Sequence, residues 1–98
     1  MEILKTKNET ALNLSLEGRL DTTTAPQLEN ELKQSVEGIT ELVFDFEKLE
    51  YISSAGLRVL LSAQKVMNKQ GTMVIRNACA DIREVFEITG FMDILTVE

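Results

Sequence analysis

Residues 42–61 read LVFDFEKLEYISSAGLRVLL, a strand-like pattern that changes within a few residues into a helix-like one. Leu42, Phe44 and Phe46 alternate with Val43 and Asp45, and a period of two is typical of a β-strand. Because Val43 is also apolar, both faces of the first half of this strand are expected to be covered. We therefore predict a central strand that ends at Phe46.

A helix is predicted soon after this strand. Residues 47–52 are interpreted as a loop, and the helix is expected to run from Ser53 or Ser54 to about Asn68, with Gly71 closing it. The apolar positions of the helix, which predict one broad buried stripe, are Leu57, Leu60, Leu61 and Met67.

The segment before residue 42 predicts a hairpin and a first helix. Leu12, Leu14 and Leu16 alternate with polar residues and predict a strand, which pairs with the preceding segment through a turn at residues 8–9. Thr24 and Gln27 have the spacing of a capping box, which predicts the start of a helix. The apolar positions of that helix are Leu28, Leu32 and Val36, and Gly38 is expected to end it.

The segment after residue 71 predicts a strand over residues 72–75, a helix that starts near Asp81 and ends at Gly90, and a last strand in the run ILTV, residues 94–97. The element order is then ββαβαβαβ. Strands that alternate with helices imply parallel pairing with right-handed crossovers. We predict an α/β fold: one domain, residues 1–98, with a mixed, mostly parallel sheet of four to five strands and helices packed on it.

Composition narrows the function classes. Sixteen acidic and ten basic residues give a net charge of -6, which argues against nucleic acid as a partner and favours a basic partner or none. No apolar run is long enough to cross a bilayer and the start lacks a signal peptide, so we expect a cytoplasmic protein without membrane insertion. With no histidine and one cysteine, the usual zinc sites, catalytic triads and disulfides are missing. We expect no cofactor, no metal and no enzymatic activity.

The adjacent hydroxyls of Ser53 and Ser54 stand at the predicted start of a helix. One serine there is explained by capping, because its side chain accepts a hydrogen bond from a free N–H group of the first turn. Two serines exceed that need, and Gly56 in the first turn costs helix stability. A helix N-terminus also tolerates a phosphate, and a phosphoserine would add about -1.5 to -2 charges there.

Three stretches together carry a family resemblance: DFEKLEYISSAGLRVLL (residues 45–61), LEGRLD (residues 16–21) and FEITGFMDIL (residues 86–95). Their combination closely resembles the STAS domain (sulfate transporter and anti-sigma factor antagonist), in particular the small free-standing bacterial anti-sigma factor antagonists. The resemblance covers nearly the whole chain.

The resemblance implies a partner switch. In that family the unphosphorylated domain binds an anti-sigma factor, usually a serine kinase of the histidine-kinase-like ATPase type, and so frees the sigma factor. The kinase phosphorylates a serine that corresponds to Ser54 here, and a serine phosphatase restores it. The partner-binding residues implied are Asp21, Thr22, Ser53, Ser54, Gly56, Leu57 and Arg58.

The chain departs from the family pattern at Ser53. An aspartate usually stands directly before the acceptor serine, so its replacement makes Ser53 the alternative acceptor. Arg58 is expected on the same helix face as Ser54, and is interpreted either as a solvated arginine or as a partner of a phosphate. Cys79 is interpreted as a small buried apolar residue.

Two other functions stay open. Some small STAS proteins are constitutive subunits, for example beside the ATPase of a bacterial lipid transporter, and Ser53 and Ser54 would then be a cap inside an interface. A serine or cysteine nucleophile enzyme would need a base such as Lys65 or Lys69, and no motif brings either near Ser54.

Overall fold

The computed structural model describes residues 1–98, which form a four-stranded sheet and three α-helices. The strands are β1 (Glu2–Asn8), β2 (Ala11–Leu20), β3 (Glu41–Ile52) and β4 (Thr72–Arg76), and the helices are α1 (Ala25–Ser35), α2 (Ser54–Gln70) and α3 (Ala80–Thr89). A 3₁₀ helix, Phe91–Asp93, follows α3. The predicted α/β class, with a mixed and mostly parallel sheet, is confirmed.

The sheet order is β1-β2-β3-β4, with β1 antiparallel to β2 and the other two pairs parallel. The predicted hairpin turn is confirmed, with Glu9 in a left-handed conformation between the first two strands. β3 is central, as predicted, but the prediction that both of its faces are covered is wrong, because Val43 on the second face is only half-buried. Because β2 and β3 are parallel, their carboxyl ends lie at the same edge of the sheet. Helices connect the parallel strands.

The core lies on one face of the sheet. Leu12, Leu14 and Leu16 of β2 and Phe44 and Phe46 of β3 are fully buried there. The opposite face is half-buried or exposed along every strand, and Leu4 on it is 62% exposed. Because all the fully buried sheet residues belong to one face, the helices cover that face and leave the other open.

Residues 47–52 are strand rather than the predicted loop. β3 continues to Ile52 and pairs with the second half of β2 across two register shifts. Each shift inserts one extra residue into β3, so the buried positions change from every second residue to every third, at Phe46, Leu49 and Ile52. The loss of the period of two at these bulges is why the sequence pattern suggests a loop.

The predicted fifth strand is reduced to one bridge, so the observed order is ββαβαβα. The amide groups of Ile94 and Leu95 donate to the carbonyl of Phe91 and are therefore not available to β4. Only the bridge between Ile75 and Val97 remains, with N–H···O bonds of 2.9 and 2.8 Å. Gly90 ends α3 in a left-handed conformation, with φ 81°, as predicted.

The predicted capping box at α1 is wrong in its hydrogen bonds. Thr24 is the N-cap residue, but its hydroxyl donates to the carbonyl of Arg19 and accepts from the amide of Asp21. The side chain of Gln27 donates instead to the carbonyl of Met1. The hydroxyl of Thr24 therefore closes the turn before the helix and does not cap the helix itself.

Two smaller predictions also need correction. Cys79 is exposed rather than buried, because it is the N-cap residue of α3 and lies at the surface. Leu61 is only half-buried, and Val59 and Ala63 are buried in its place. The predicted start of α3 near Asp81 is confirmed, because the helix begins at Ala80.

Candidate partner-binding surface

Two neighbouring strand ends bring the predicted site residues together. Leu20 and Ile52 are paired as the last residues of β2 and β3, and the amide of Ser53 donates to the carbonyl of Leu20 over 2.9 Å. Asp21 follows Leu20 and Ser54 follows Ser53, so both lie at the carboxyl edge of the sheet. Loops at this edge are the usual place for binding sites in open α/β sheets.

The turn after β2 holds the carboxylate of Asp21 in a fixed position. Its Oδ1 accepts hydrogen bonds from the hydroxyl of Thr23 at 2.7 Å, from the amide of Thr23 at 3.0 Å and from the amide of Thr24 at 3.1 Å. The bond from the Thr23 hydroxyl is the main reason that the pKa of Asp21 is lowered below its ordinary value. Asp21 therefore presents a fixed negative charge at neutral pH, next to the exposed Thr22.

The structure separates the roles of the two serines. Ser53 is the N-cap residue of α2, with φ -100° and ψ 175°, and its Oγ accepts a hydrogen bond from the amide of Gly56 at 3.5 Å. Ser54 is the first helical residue, and its side chain is exposed. The hydroxyl of Ser53 is thus engaged in the fold, whereas the hydroxyl of Ser54 faces solvent.

Two of the predicted contact residues lie inside the protein. Gly56 is buried against Leu20 and Ile52, and Leu57 is only 6% exposed. These residues hold the first turn of α2 against the sheet, so they support the surface from below. Arg58, one turn after Ser54, is exposed as predicted.

A contact that the sequence motifs do not indicate lies beside this surface. The guanidinium of Arg19 stacks on the ring of Tyr51, with its Cζ 4.1 Å from the ring centroid, and Arg19 Nε lies 3.8 Å from Asp21 Oδ2. Tyr51 is 41% exposed. The pairing of Arg19 with Tyr51 depends on the second bulge in β3, which cannot be seen in the apolar pattern. An exposed aromatic ring and a charged pair therefore flank the serines.

Comparison with known proteins agrees with this geometry. A family model described as the STAS domain matches residues 2–98. The chain belongs to the STAS domain family. The resemblance inferred from the three sequence stretches is therefore confirmed.

Among curated STAS relatives, the chain is 41% identical to BtrV of Bordetella bronchiseptica, which is provisionally named an anti-sigma factor antagonist. That match spans 99 aligned positions, 99% of this chain and 85% of BtrV. The chain is 28% identical to the anti-sigma-B factor antagonist of Bacillus subtilis, over 93% of this chain and 84% of that protein.

Among solved structures, the STAS fold of this chain matches the anti-sigma factor antagonist SpoIIAA in its unphosphorylated form. The TM-score is 0.78 at 17% identity, over 99% of this chain and 87% of the other. The phosphorylated form of SpoIIAA, from Bacillus, matches with the same TM-score at 18% identity, over 99% of this chain and 91% of the other. At this identity the likeness concerns the fold.

No helix has both the length and the apolar character needed to cross a membrane. No group of three or more His, Cys, Asp or Glu side chains is placed so that it would hold a metal ion.

Proposed function

We propose that this STAS protein is a cytoplasmic anti-sigma factor antagonist and not an enzyme. In its unphosphorylated state it binds an anti-sigma factor that has serine kinase activity. Phosphorylation of Ser54 by that kinase releases it, and a serine phosphatase restores binding. The similarity to BtrV over nearly the whole chain supports the class of function.

The observation that carries the proposal is the difference between Ser53 and Ser54. A kinase must reach the hydroxyl it phosphorylates, and Ser54 is exposed whereas Ser53 is half-buried and caps α2. Modification of Ser53 would also remove a bond that the helix start uses. We therefore assign the acceptor role to Ser54 and the capping role to Ser53.

The position of Ser54 explains how one phosphate acts as a switch. The first turn of α2 has free N–H groups and the positive end of the helix dipole, so the fold tolerates a phosphate there. The phosphate would add about -1.5 to -2 charges close to the fixed carboxylate of Asp21. A partner that fits the uncharged surface with close contacts would then be repelled, without any need for the fold to change.

The surface proposed for the partner combines the half-buried Asp21 and the exposed Thr22 of the turn after β2 with the exposed Ser54 and Arg58 of the first two turns of α2. Ser53, Gly56 and Leu57 belong to the same proposal as the residues that position this surface. The stacked pair of Arg19 and Tyr51 lies at its border and is added to it.

A quantitative pull-down tests the proposal. Wild type, Ser54→Ala, Ser54→Asp and Ser53→Ala are used as baits in a lysate of the source cells, and retained proteins are identified by mass spectrometry. We expect an anti-sigma factor with a kinase domain on every bait except Ser54→Asp. Incubation of the purified pair with ATP should then phosphorylate wild type and Ser53→Ala but not Ser54→Ala.

Two results would contradict the proposal. Retention of the same partner by all four baits would make Ser54 a structural residue, as in a constitutive subunit of a transporter. Phosphorylation of Ser54→Ala but not of Ser53→Ala would transfer the acceptor role to Ser53.

A further inference from the structure

Helix α2 differs in charge from the rest of the chain. The chain has sixteen acidic and ten basic residues, yet the seventeen residues of α2 contain Arg58, Lys65 and Lys69 and no Asp or Glu. All three basic side chains are exposed. The basic partner favoured by the net charge is therefore not the partner that this helix suits.

The basic side chains of α2 form one stripe that begins at the proposed switch. At 3.6 residues per turn, the side chains of Ser54, Arg58, Lys65 and Lys69 fall within about 60° of the helix circumference. With a rise of about 1.5 Å per residue, the stripe extends about 22 Å from Ser54 to Lys69. We call Arg58, Lys65 and Lys69, together with Ser54 at their N-terminal end, the basic stripe.

An apolar groove between α1 and α2 runs beside the basic stripe. Its volume is about 260 Å³. Its apolar lining consists of Leu32 and Val36 from α1 and Val59, Ala63 and Val66 from α2. Val66 is 39% exposed, so the groove presents an apolar surface to solvent directly next to the charges of the stripe.

We propose that the groove and the basic stripe together dock an amphipathic helix with an acidic face, which belongs to the anti-sigma factor. Apolar side chains of that helix fill the groove, and its carboxylates pair with Arg58, Lys65 and Lys69. Binding of an amphipathic helix through its apolar face is a recurrent mode of protein recognition. This inference rests on the proposed function, because it names the chemistry of the same partner.

The charge pattern favours a helix over an anionic membrane. A helix is about 10 Å wide and would contact only the basic stripe and the groove, where the carboxylate of Glu29 is already paired with Lys33 at 3.4 Å. A bilayer surface is broad and would extend beyond the stripe and the groove over the rest of this side of the protein. In a chain with a net charge of -6, that wider contact is repulsive.

The location of Ser54 at the end of the basic stripe links docking to the switch. A phosphate on Ser54 would oppose the positive charge of Arg58, one turn away on the same face. The acidic helix would then meet a stripe with less positive charge and a negative group at one end. Phosphorylation thus weakens both the contacts at the loops and the attraction along α2.

Charge reversal along the stripe tests the inference. The probe is the anti-sigma factor retained in the pull-down, titrated calorimetrically against wild type, Lys65→Glu, Lys69→Glu and Val66→Asp. Lys7→Glu is the matched control, because it makes the same change in net charge on the edge strand β1. Circular dichroism melting confirms that each variant is folded.

We expect Lys65→Glu and Lys69→Glu each to weaken binding about tenfold at about 50 mM salt and less at about 500 mM, since salt screens exposed charges. Val66→Asp should weaken binding about tenfold at both salt concentrations, and Lys7→Glu should bind like wild type. Equal affinity of Lys65→Glu, Lys69→Glu and Lys7→Glu would overturn the inference. Wild-type binding to vesicles of anionic phosphatidylglycerol, lost in Lys65→Glu, would overturn it in favour of a membrane.

The test separates this inference from the proposed function. If Ser54→Asp abolishes binding while the charge reversals have no effect, the proposed phosphorylation switch is supported and the inference that an acidic helix docks along α2 is wrong. If the charge reversals weaken binding while Ser54→Asp does not, the inferred docking surface is supported and the proposed switch at Ser54 is wrong. Failure of wild type to bind any anti-sigma factor would overturn both.

Discussion

Gly56 and Leu20 are packed so closely that a β-carbon on Gly56 would lie 2.7 Å from Cγ of Leu20. The same β-carbon would lie 2.9 Å from Cγ1 of Ile52. Both neighbours are the last residues of their strands, at the edge where the serines and Asp21 are placed. The glycine therefore sets how near the first turn of α2 approaches the sheet.

We expect Gly56→Ala to destabilise the protein. Overpacking of a tight core typically costs about 1–3 kcal/mol, and the better helix propensity of alanine offsets about 1 kcal/mol of that. The net loss in the free energy of unfolding should be up to about 2 kcal/mol, measured by urea denaturation. The displaced first turn should also weaken partner binding.

A double-mutant cycle with Leu20→Ala is the control for this prediction. Leu20→Ala alone should cost about 2–5 kcal/mol, because it leaves a cavity. Leu20→Ala also removes the nearest clashing atom. The double variant should therefore lose about 1 kcal/mol less in the free energy of unfolding than the sum of the two single losses. Simple additivity would contradict the close packing as the cause.

Ser53→Ala and Ser54→Ala should differ in stability. Loss of an N-cap hydroxyl costs about 0.5–2 kcal/mol, and the long 3.5 Å bond to Gly56 places Ser53→Ala at the lower end. Ser54→Ala should change the free energy of unfolding by less than about 0.5 kcal/mol, because Ser54 is exposed. Equal losses in thermal melting of the two variants would contradict the separate roles of the serines.

Asp21 should make stability depend on pH. Its pKa in the folded protein is lowered from the ordinary value of 3.8, mainly by the hydrogen bond from the Thr23 hydroxyl. A lowered pKa means that ionised Asp21 stabilises the fold above pH 3.8 and that this contribution is lost as the pH falls through the folded pKa. The urea midpoint of wild type should therefore exceed that of Asp21→Asn near neutral pH, and the gap should narrow below pH 3.8.

Thr23→Val provides the control for Asp21. It removes the hydroxyl that donates at 2.7 Å and keeps the shape of the side chain. An NMR titration of the Asp21 carboxyl should then give a higher pKa than in wild type. An unchanged pKa would mean that the amides of Thr23 and Thr24 and the hydroxyl of Thr24 are enough to hold the carboxylate.

Gln64→Leu should stabilise the protein. Gln64 is buried, and its Oε1 has no hydrogen-bond partner although its Nε2 donates to Asn68 at 2.8 Å. A buried polar atom without a partner is costly, so an apolar side chain of similar size should raise the free energy of unfolding by about 1 kcal/mol. Asn68→Ala is the control with the opposite expected sign. It removes the acceptor of Gln64 Nε2, so both polar atoms of the Gln64 amide would lack a partner and stability should fall. A destabilised Gln64→Leu would show that Oε1 is satisfied in solution.

Much of the fold follows from local pattern. Leu12, Leu14 and Leu16 predict β2 and its buried face, because side chains of a strand alternate between faces. Gly90 predicts the end of α3, because only glycine adopts the left-handed conformation there at no steric cost. The motif predicts Ser54 as the acceptor by its position, and it also identifies the family.

Other features depend on contacts between distant segments. The bulges that extend β3 to Ile52 are set by pairing with β2, so the period of two in residues 42–46 could not predict them. Thr24 satisfies the capping-box pattern, yet Arg19 and Asp21 are closer partners for its hydroxyl. Cys79 looks apolar between two alanines, but its place at the start of α3 exposes it.

The amino-acid sequence by itself determined the class of fold, the family and the two serines at the start of α2, because each depends on residues near one another in the chain. Only the tertiary structure decided which serine is free. The capping bond of Ser53, the close contact of Gly56 with Leu20 and the groove beside the basic stripe all arise when α2 packs against the sheet and α1. Burial and hydrogen-bond partners belong to the packed chain, and a local pattern does not contain them.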